Sequence, residues 1–308
     1  MRTLTRSGVL AAAVLSLAAC GGGASAAPTD TVAPTAVVTT APSETPNPCT
    51  PANLATLTAE TLTVGADNPA YPPYYEPTDP KPAGSIWEFG DPTNGKGLES
   101  ATAYAIADAL GYAKTAVTWV AAPFNSAIQP GPKTFDIYLT QVSYSAERAT
   151  ATDLSDGYFD LNQAVVALAA NPIAKVTTEA GLAAFKLGAP VGTTSYQYIV
   201  DNIKPTNEPA VYDTLDAAVQ ALSVKQIDGI VVDLPTAFYL RDGGQLTGAV
   251  IVGSLPTAGA IEHFSVLLTK GSPLTACVNV ALASMKDDGT MKAIVDQWIS
   301  GQGAPELK

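Results

Sequence analysis

Basic residues are scarce in this chain. Its 308 residues hold 16 Lys and Arg against 28 Asp and Glu, a formal net charge of −12. That balance is ill-suited to nucleic acid or an anionic lipid surface, both of which are gripped by cationic side chains. Histidine occurs once, as His263, and cysteine three times. One histidine and two cysteines beyond the first 20 residues make no metal-ligand cluster. A Ser-His-Asp hydrolase would have to use His263, and no Gly-x-Ser-x-Gly segment accompanies it. No phosphate loop of the Gly-x-x-x-x-Gly-Lys-Ser/Thr type is present. No apolar run reaches the roughly 20 residues that span a bilayer, and no internal repeat is evident. No metal and no cofactor are expected.

What the front end does contain is an export signal over residues 1–19. Arg2 and Arg6 supply the positive start, and Val9 to Ala19 is an apolar run of 11 residues, too short to span a bilayer. It ends in Leu17-Ala18-Ala19-Cys20, followed by three glycines. That ending resembles a bacterial lipoprotein box, which implies lipidation of Cys20 and anchoring through two or three acyl chains. Residues 20–48 then form the lipidated start and an Ala-, Thr- and Pro-rich tether. From residue 21 on it contains no Lys, Arg or aromatic residue, so it cannot bury enough apolar surface to offset its chain entropy. Loss of the signal leaves 14 basic and 28 acidic residues.

Export places Cys49 and Cys277 in a compartment that permits disulfides. Cys277 lies on the apolar stripe Leu274, Cys277, Val278, Ala281, Leu282 and Met285, so a buried free thiol competes with a Cys49–Cys277 bridge. The bridge is the expectation.

After residue 60, short β-rich runs alternate with helical patterns. Residues 61–66, 116–120, 135–139, 164–169, 228–233 and 265–269 read as strands. Residues 97–111, a segment from Ser195, the stripe Leu215, Ala218, Val219 and Leu222, a segment opened by Pro235, and 273–286 read as helices, with a last one marked by Met291, Ile294, Val295 and Trp298. Such alternation predicts an α/β protein with parallel sheets. Between the first strand and first helix lies a turn-rich loop, Asp67 to Lys96, with Tyr71-Pro-Pro-Tyr-Tyr75.

One arginine, Arg148, stands in Ser143-Tyr-Ser-Ala-Glu-Arg148, shortly before Asp153-Leu-Ser-Asp-Gly-Tyr-Phe159. This segment resembles the ligand-binding element of the family-3 extracellular solute-binding proteins, which feed amino acids to ABC importers. The resemblance implies a two-lobed periplasmic-binding-protein-like (type II) fold, two parallel-rich sheets joined by two crossing strands. Lobe 1 would take residues 49–160 and 253–308, and lobe 2 residues 161–252.

The same resemblance implies a ligand-binding set. Arg148 would grip the ligand's α-carboxylate, since a planar guanidinium can donate two parallel hydrogen bonds. Ser143 precedes it in the same element. Thr193 and Thr194, in Gly192-Thr-Thr-Ser195, would donate to that carboxylate from a helix N-terminus. Asp233, ending the apolar strand Ile230-Val-Val232, would take the α-ammonium. Asp67 follows the first strand, and Tyr71 and Phe124 match aromatics that pack on the ligand. Gln141 stands where the family commonly has Gly or Ser, so its side chain could enter the site. Simple capping, a rigid aromatic-Pro loop and core packing are the structural alternatives for Thr193, Tyr71 and Phe124. Glu99 reads as a residue that complements the dipole of its helix.

The implied function is capture of an amino acid without catalysis and delivery to an ABC permease, by a monomer anchored at the outer face of the cytoplasmic membrane. A periplasmic dehydratase on the same fold and a ligand-sensing module are the rivals.

Overall fold

The computed structural model describes residues 47–299 and 302–308. The signal, Cys20 and the tether up to residue 46 lie outside the described residues. Along the chain run β1 (Leu62–Ala66), α1 (Leu98–Ala109), β2 (Val117–Ala121), α2 (Phe124–Ala127), β3 (Ile137–Tyr138), α3 (Arg148–Ala151), β4 (Thr152–Leu161), β5 (Gln163–Leu168), β6 (Leu187–Pro190), α4 (Thr194–Tyr198), β7 (Ala210–Tyr212), α5 (Leu215–Ser223), β8 (Gly229–Asp233), α6 (Leu234–Asp242), β9 (Ala249–Ser254), β10 (Glu262–Thr269), α7 (Thr275–Asp287) and α8 (Thr290–Trp298).

The strands form two five-stranded sheets, β2-β1-β3-β10-β4 and β7-β6-β8-β5-β9. Each anchors one lobe of a two-lobed α/β fold. β1 is buried at all five positions, as an inner strand covered on both faces must be. Its pairings with β2 and β3 are parallel, as are those of β6 with β7 and β8. The remaining pairings are antiparallel and involve β5 and β10. Strand–helix alternation accounts only for the parallel half. The antiparallel half arises because β5 and β10 begin where the chain crosses between lobes and therefore run back against their neighbours.

The two crossings lie side by side. β4 passes into β5 through Asn162, and Leu161 is paired with Glu262, the first residue of β10. Ala164, near the start of β5, is paired with Ser254, the last residue of β9. A further link follows α8. Residues 302–308 return to lobe 2, where the Ser254 N–H donates to the Pro305 carbonyl and the Leu307 N–H donates to the Ser254 carbonyl, and Leu307 is buried in that lobe's core. This tail thus departs from the expected placement of 253–308 in lobe 1. Leu307 belongs to the core cluster that holds Val252 and Leu255, and the tail backbone pairs with Ser254 at the end of β9.

Lobe 1's main core gathers β1, α1, α7 and both ring systems of Tyr74 and Tyr75. The two tyrosines, fully buried, hold the long 67–96 loop onto the lobe. Tyr75 Oη donates to the Leu139 carbonyl at 2.5 Å. Gly97, which caps α1 at φ 98°, passes so close to Tyr74 that a Cβ would lie 2.4 Å from the Tyr74 carbonyl oxygen, so only glycine fits. Cys277 sits on the buried stripe of α7 and is disulfide-bonded to Cys49, with Cα atoms 5.3 Å apart. Among the described residues no helix is long and apolar enough to cross a membrane.

Candidate functional site

A cavity of about 290 Å³ lies between the lobes. Its wall takes Asp67, Tyr71, Phe124, Gln141 and Arg148 from lobe 1, and Thr193, Thr194, Asp213 and Asp233 from lobe 2. Eight of the nine expected ligand-binding residues therefore face one space. Ser143 does not. It is buried, paired in a bridge with Phe264, and contributes its carbonyl oxygen, which accepts from Arg148 Nη1 at 2.5 Å.

Arg148 opens α3, at the point where the chain turns into β4. It is 8 % exposed. Its Nη2 donates to the Gly192 carbonyl of lobe 2 at 2.6 Å, and its guanidinium carbon lies 5.3 Å from the centre of the Phe124 ring. Burial lowers its pKa, and the charges of Asp233, Glu262 and Glu147 oppose that shift. A guanidinium carries five N–H donors. Two are used on carbonyls, so the group is fixed in orientation with donors left for a carboxylate. Phe124 is thus both a floor for the arginine and part of the cavity wall.

Asp67 ends the loop side of β1. Its carboxylate accepts from the N–H groups of Asn68 at 2.7 Å and Phe124 at 3.2 Å, which ties the β1 loop to α2. Burial raises its pKa, against those two hydrogen bonds. Tyr71 stacks on Phe89, with centroids 5.5 Å apart, and leans on Tyr239 of lobe 2 at 5.9 Å. Burial, then the charge and hydrogen bond of Asp216, keep its hydroxyl protonated. Tyr74 lies behind the wall in the core. Its hydroxyl meets Thr236 Oγ1 at 2.9 Å, another contact between lobes.

Gln141 is in the left-handed region, φ 43°. Glu99 accounts for this. Its carboxylate accepts from the Gln141 backbone N–H at 2.5 Å, the Gln141 side-chain amide at 2.6 Å and Tyr158 Oη at 2.6 Å. Gln141 is therefore pulled back toward α1 rather than projecting its amide into the cavity. Glu99 itself is wholly buried, and burial pushes its pKa up to about 7 despite the three donors. Glu99 stands in the first turn of α1, as expected of an acid that complements the helix dipole, and its side chain also supports the cavity wall.

On lobe 2, Thr193 caps α4. Its hydroxyl accepts from Tyr196 N at 3.2 Å and donates to the Pro190 carbonyl at 2.7 Å. The Thr194 hydroxyl donates to Glu262 Oε1 at 2.5 Å. Both hydroxyls are thus engaged inside the protein. What α4 presents to the cavity is backbone, because the first N–H groups of a helix have no intrahelical partner.

Asp233 closes β8 and opens α6. It is partly buried and lines the cavity. Burial, reinforced by the charge of Glu262, pushes its pKa up to about 8, against the hydrogen bond from Gln163 and the charge of Arg148. Gln163 Nε2 donates to Asp233 Oδ1 at 2.8 Å and to Glu262 Oε2 at 2.9 Å, while its Oε1 accepts from Ser195 Oγ at 2.7 Å. Sequence reasoning missed Gln163 and Glu262. The signal available was positional: each is a polar residue at the first position of an apolar strand, where the chain crosses between lobes.

The family described as bacterial extracellular solute-binding proteins, family 3, matches residues 62–301. The L-cystine-binding protein TcyJ of Escherichia coli (strain K12) is 29% identical over 167 residues, 54% of this chain and 60% of that protein's length, so the match leaves more than a third of that relative uncovered. A solved ancestral arginine-binding protein bound to arginine is 28% identical with a TM-score of 0.59, covering 78% of this chain and 99% of that one. The ancestral amino acid-binding protein AncCDT-1, a precursor of cyclohexadienyl dehydratase, is 25% identical with a TM-score of 0.61, covering 78% and 96%.

Proposed function

Because the chain belongs to the bacterial extracellular solute-binding proteins, family 3, we propose that it captures an amino acid in the cleft and delivers it to an ABC permease. The observation that carries this is the placement of Arg148 in one lobe and Asp233 in the other, on one cavity. Arg148 holds the α-carboxylate and Asp233 the α-ammonium, so a zwitterion links the lobes, and lobe closure completes the site by a hinge. Asp67, Tyr71, Phe124, Gln141, Thr193 and Thr194 line the remainder, with Ser143 acting through Arg148. The volume of about 290 Å³ suits a single small metabolite. The similar proteins named for cystine and arginine support an amino acid as ligand.

The domain is held extracytoplasmically by lipid on Cys20, with 20–48 as tether, lobe 1 over residues 49–160 and again from 253 up to the tail 302–308, which packs on lobe 2, and lobe 2 over 161–252. A dehydratase on the same fold is the second reading. It is supported by the likeness to AncCDT-1, a precursor of cyclohexadienyl dehydratase, and by burial that raises the Asp233 pKa to about 8, toward the range of a general acid.

A thermal-shift screen of the twenty proteinogenic amino acids and L-cystine tests the proposal. One or a few should raise the unfolding temperature, since a ligand at 100 times its Kd stabilises the folded state by about 2.7 kcal/mol. A shift by none would remove the reading. Recovery of unaltered amino acid after long incubation separates capture from turnover.

A further inference from the structure

The two crossing strands carry a polar cluster behind the cavity wall. Gln163 is the first residue of β5 and Glu262 the first of β10. Neither lines the cavity. One amide nitrogen, Gln163 Nε2, reaches both Asp233 (2.8 Å) and Glu262 (2.9 Å). A carboxamide nitrogen has two hydrogens, one for each carboxyl. Its oxygen is taken by Ser195, and Glu262's other oxygen by Thr194. Every group in the cluster thus has a fixed partner, and the two carboxyls are held on either side of a neutral donor.

A like charge held this close disfavours ionisation of Asp233. The charged groups around Asp233 are Glu262 on β10, Arg148 on α3 and Glu99 on α1. The single cation, Arg148, faces both Asp233 and Glu262 and cannot neutralise two carboxylates. A ligand ammonium arriving beside Asp233 supplies the missing positive charge.

We propose that Gln163 and Glu262 are positioning residues that set the charge and orientation of Asp233, so that capture of the α-ammonium expels a proton from Asp233. This rests on the amino-acid reading of the cleft. The proton leaves Asp233 for bulk buffer, and the ammonium keeps its own. Below the pH at which free Asp233 ionises, affinity must then rise with pH, up to tenfold per unit for one proton released. The two neighbours act in opposite directions. Glu262 favours the protonated form of Asp233, and the Gln163 hydrogen bond favours the ionised one. Glu262→Gln therefore moves the pH profile to lower pH, and Gln163→Ala moves it to higher pH. A merely structural loss would move both the same way.

The test is calorimetry from pH 5.5 to 9, in buffers of different ionisation enthalpy, with the tightest-binding member of the twenty proteinogenic amino acids and L-cystine. Wild type should release close to one proton per amino acid at pH 6.5, with Kd falling severalfold per pH unit to a plateau near pH 8 to 9. The two variants should bracket that profile. Binding with no proton release and a flat profile overturns this inference and leaves the amino-acid reading standing. Shifts of both variants in one direction also overturn it. Absence of binding by any of the amino acids overturns both. Should a variant be unfolded by circular dichroism, the wild-type proton count alone decides.

Discussion

Arg148 Nη2 lies 2.6 Å from the carbonyl oxygen of Gly192, and that bond crosses the cleft. Gly192 has φ 73°, which turns the chain after β6 so that its carbonyl meets the guanidinium. The one arginine of the site is thereby aimed by both lobes, through Ser143 on its own side and Gly192 on the other.

Arg148→Ala should raise Kd for the preferred amino acid by roughly 30- to several-thousand-fold. Loss of one partner of a buried charge pair costs about 2–5 kcal/mol. Calorimetry of the folded variant checks this, and wild-type affinity would remove Arg148 from the site.

Tyr74 and Thr236 join the lobes by a single hydrogen bond of 2.9 Å between buried hydroxyls. Tyr74→Phe keeps the ring packing and removes that bond, which is worth about 0.5–1.5 kcal/mol. Affinity should fall by roughly two- to tenfold, with a larger radius of gyration in small-angle scattering of the ligand-free protein. Unchanged values in both would show that this bond has no part in closure.

Cys49 and Cys277 close a loop of 228 residues. Chain entropy alone assigns such a cross-link about 5.5 kcal/mol, an upper figure. Mass analysis of the unreduced protein should join the two peptides, and reduction should lower the unfolding midpoint. Two free thiols would contradict the bond.

Much of this was legible beforehand. The apolar runs 61–66 and 228–233 marked inner strands because every position of an inner strand is buried. The α7 stripe placed Cys277 on the core face. Gly192-Thr-Thr-Ser195 and Val-Val-Asp233 lay at the ends of such strands, and the fold gathers them. In sequence, β4 shows a motif and no strand pattern. It is an edge strand with Asp153, Ser155 and Asp156 along it, and its pairing with β10 shifts register around Ser265, so no clean alternation survives. β7 and β9 show no strand pattern either, and both are edges of their sheet. Gln163, Glu262 and the support of Gln141 by Glu99 depend on contacts 42 to 99 residues apart, which no local pattern encodes.

Asp233 and Glu99 both hold protons more tightly in the folded chain, at about 8 and about 7, than at the ordinary carboxylate values of 3.8 and 4.5. The folded state thus binds more protons than the unfolded one between pH 4 and 8, and stability falls as pH rises through that window. The ligand-free protein should be less stable at pH 8 than at pH 5, by on the order of several kcal/mol at most, and so melt at a lower temperature. Asp233→Asn should flatten the dependence. Scanning calorimetry without amino acid checks both, and a wild-type midpoint no lower at pH 8 contradicts the buried-carboxyl assignment.

Binding of both ends of a zwitterion is tested most directly by calorimetry of wild type with its best L-amino acid, the corresponding α-amide and the analogue lacking the α-amino group. The amide leaves Arg148 without a carboxylate, and the deaminated acid leaves Asp233 without an ammonium. Each should bind at least about 30-fold more weakly, the lower end of the cost of unpairing a buried charge. Binding of either analogue as tightly as the parent amino acid would contradict a zwitterion held between Arg148 and Asp233.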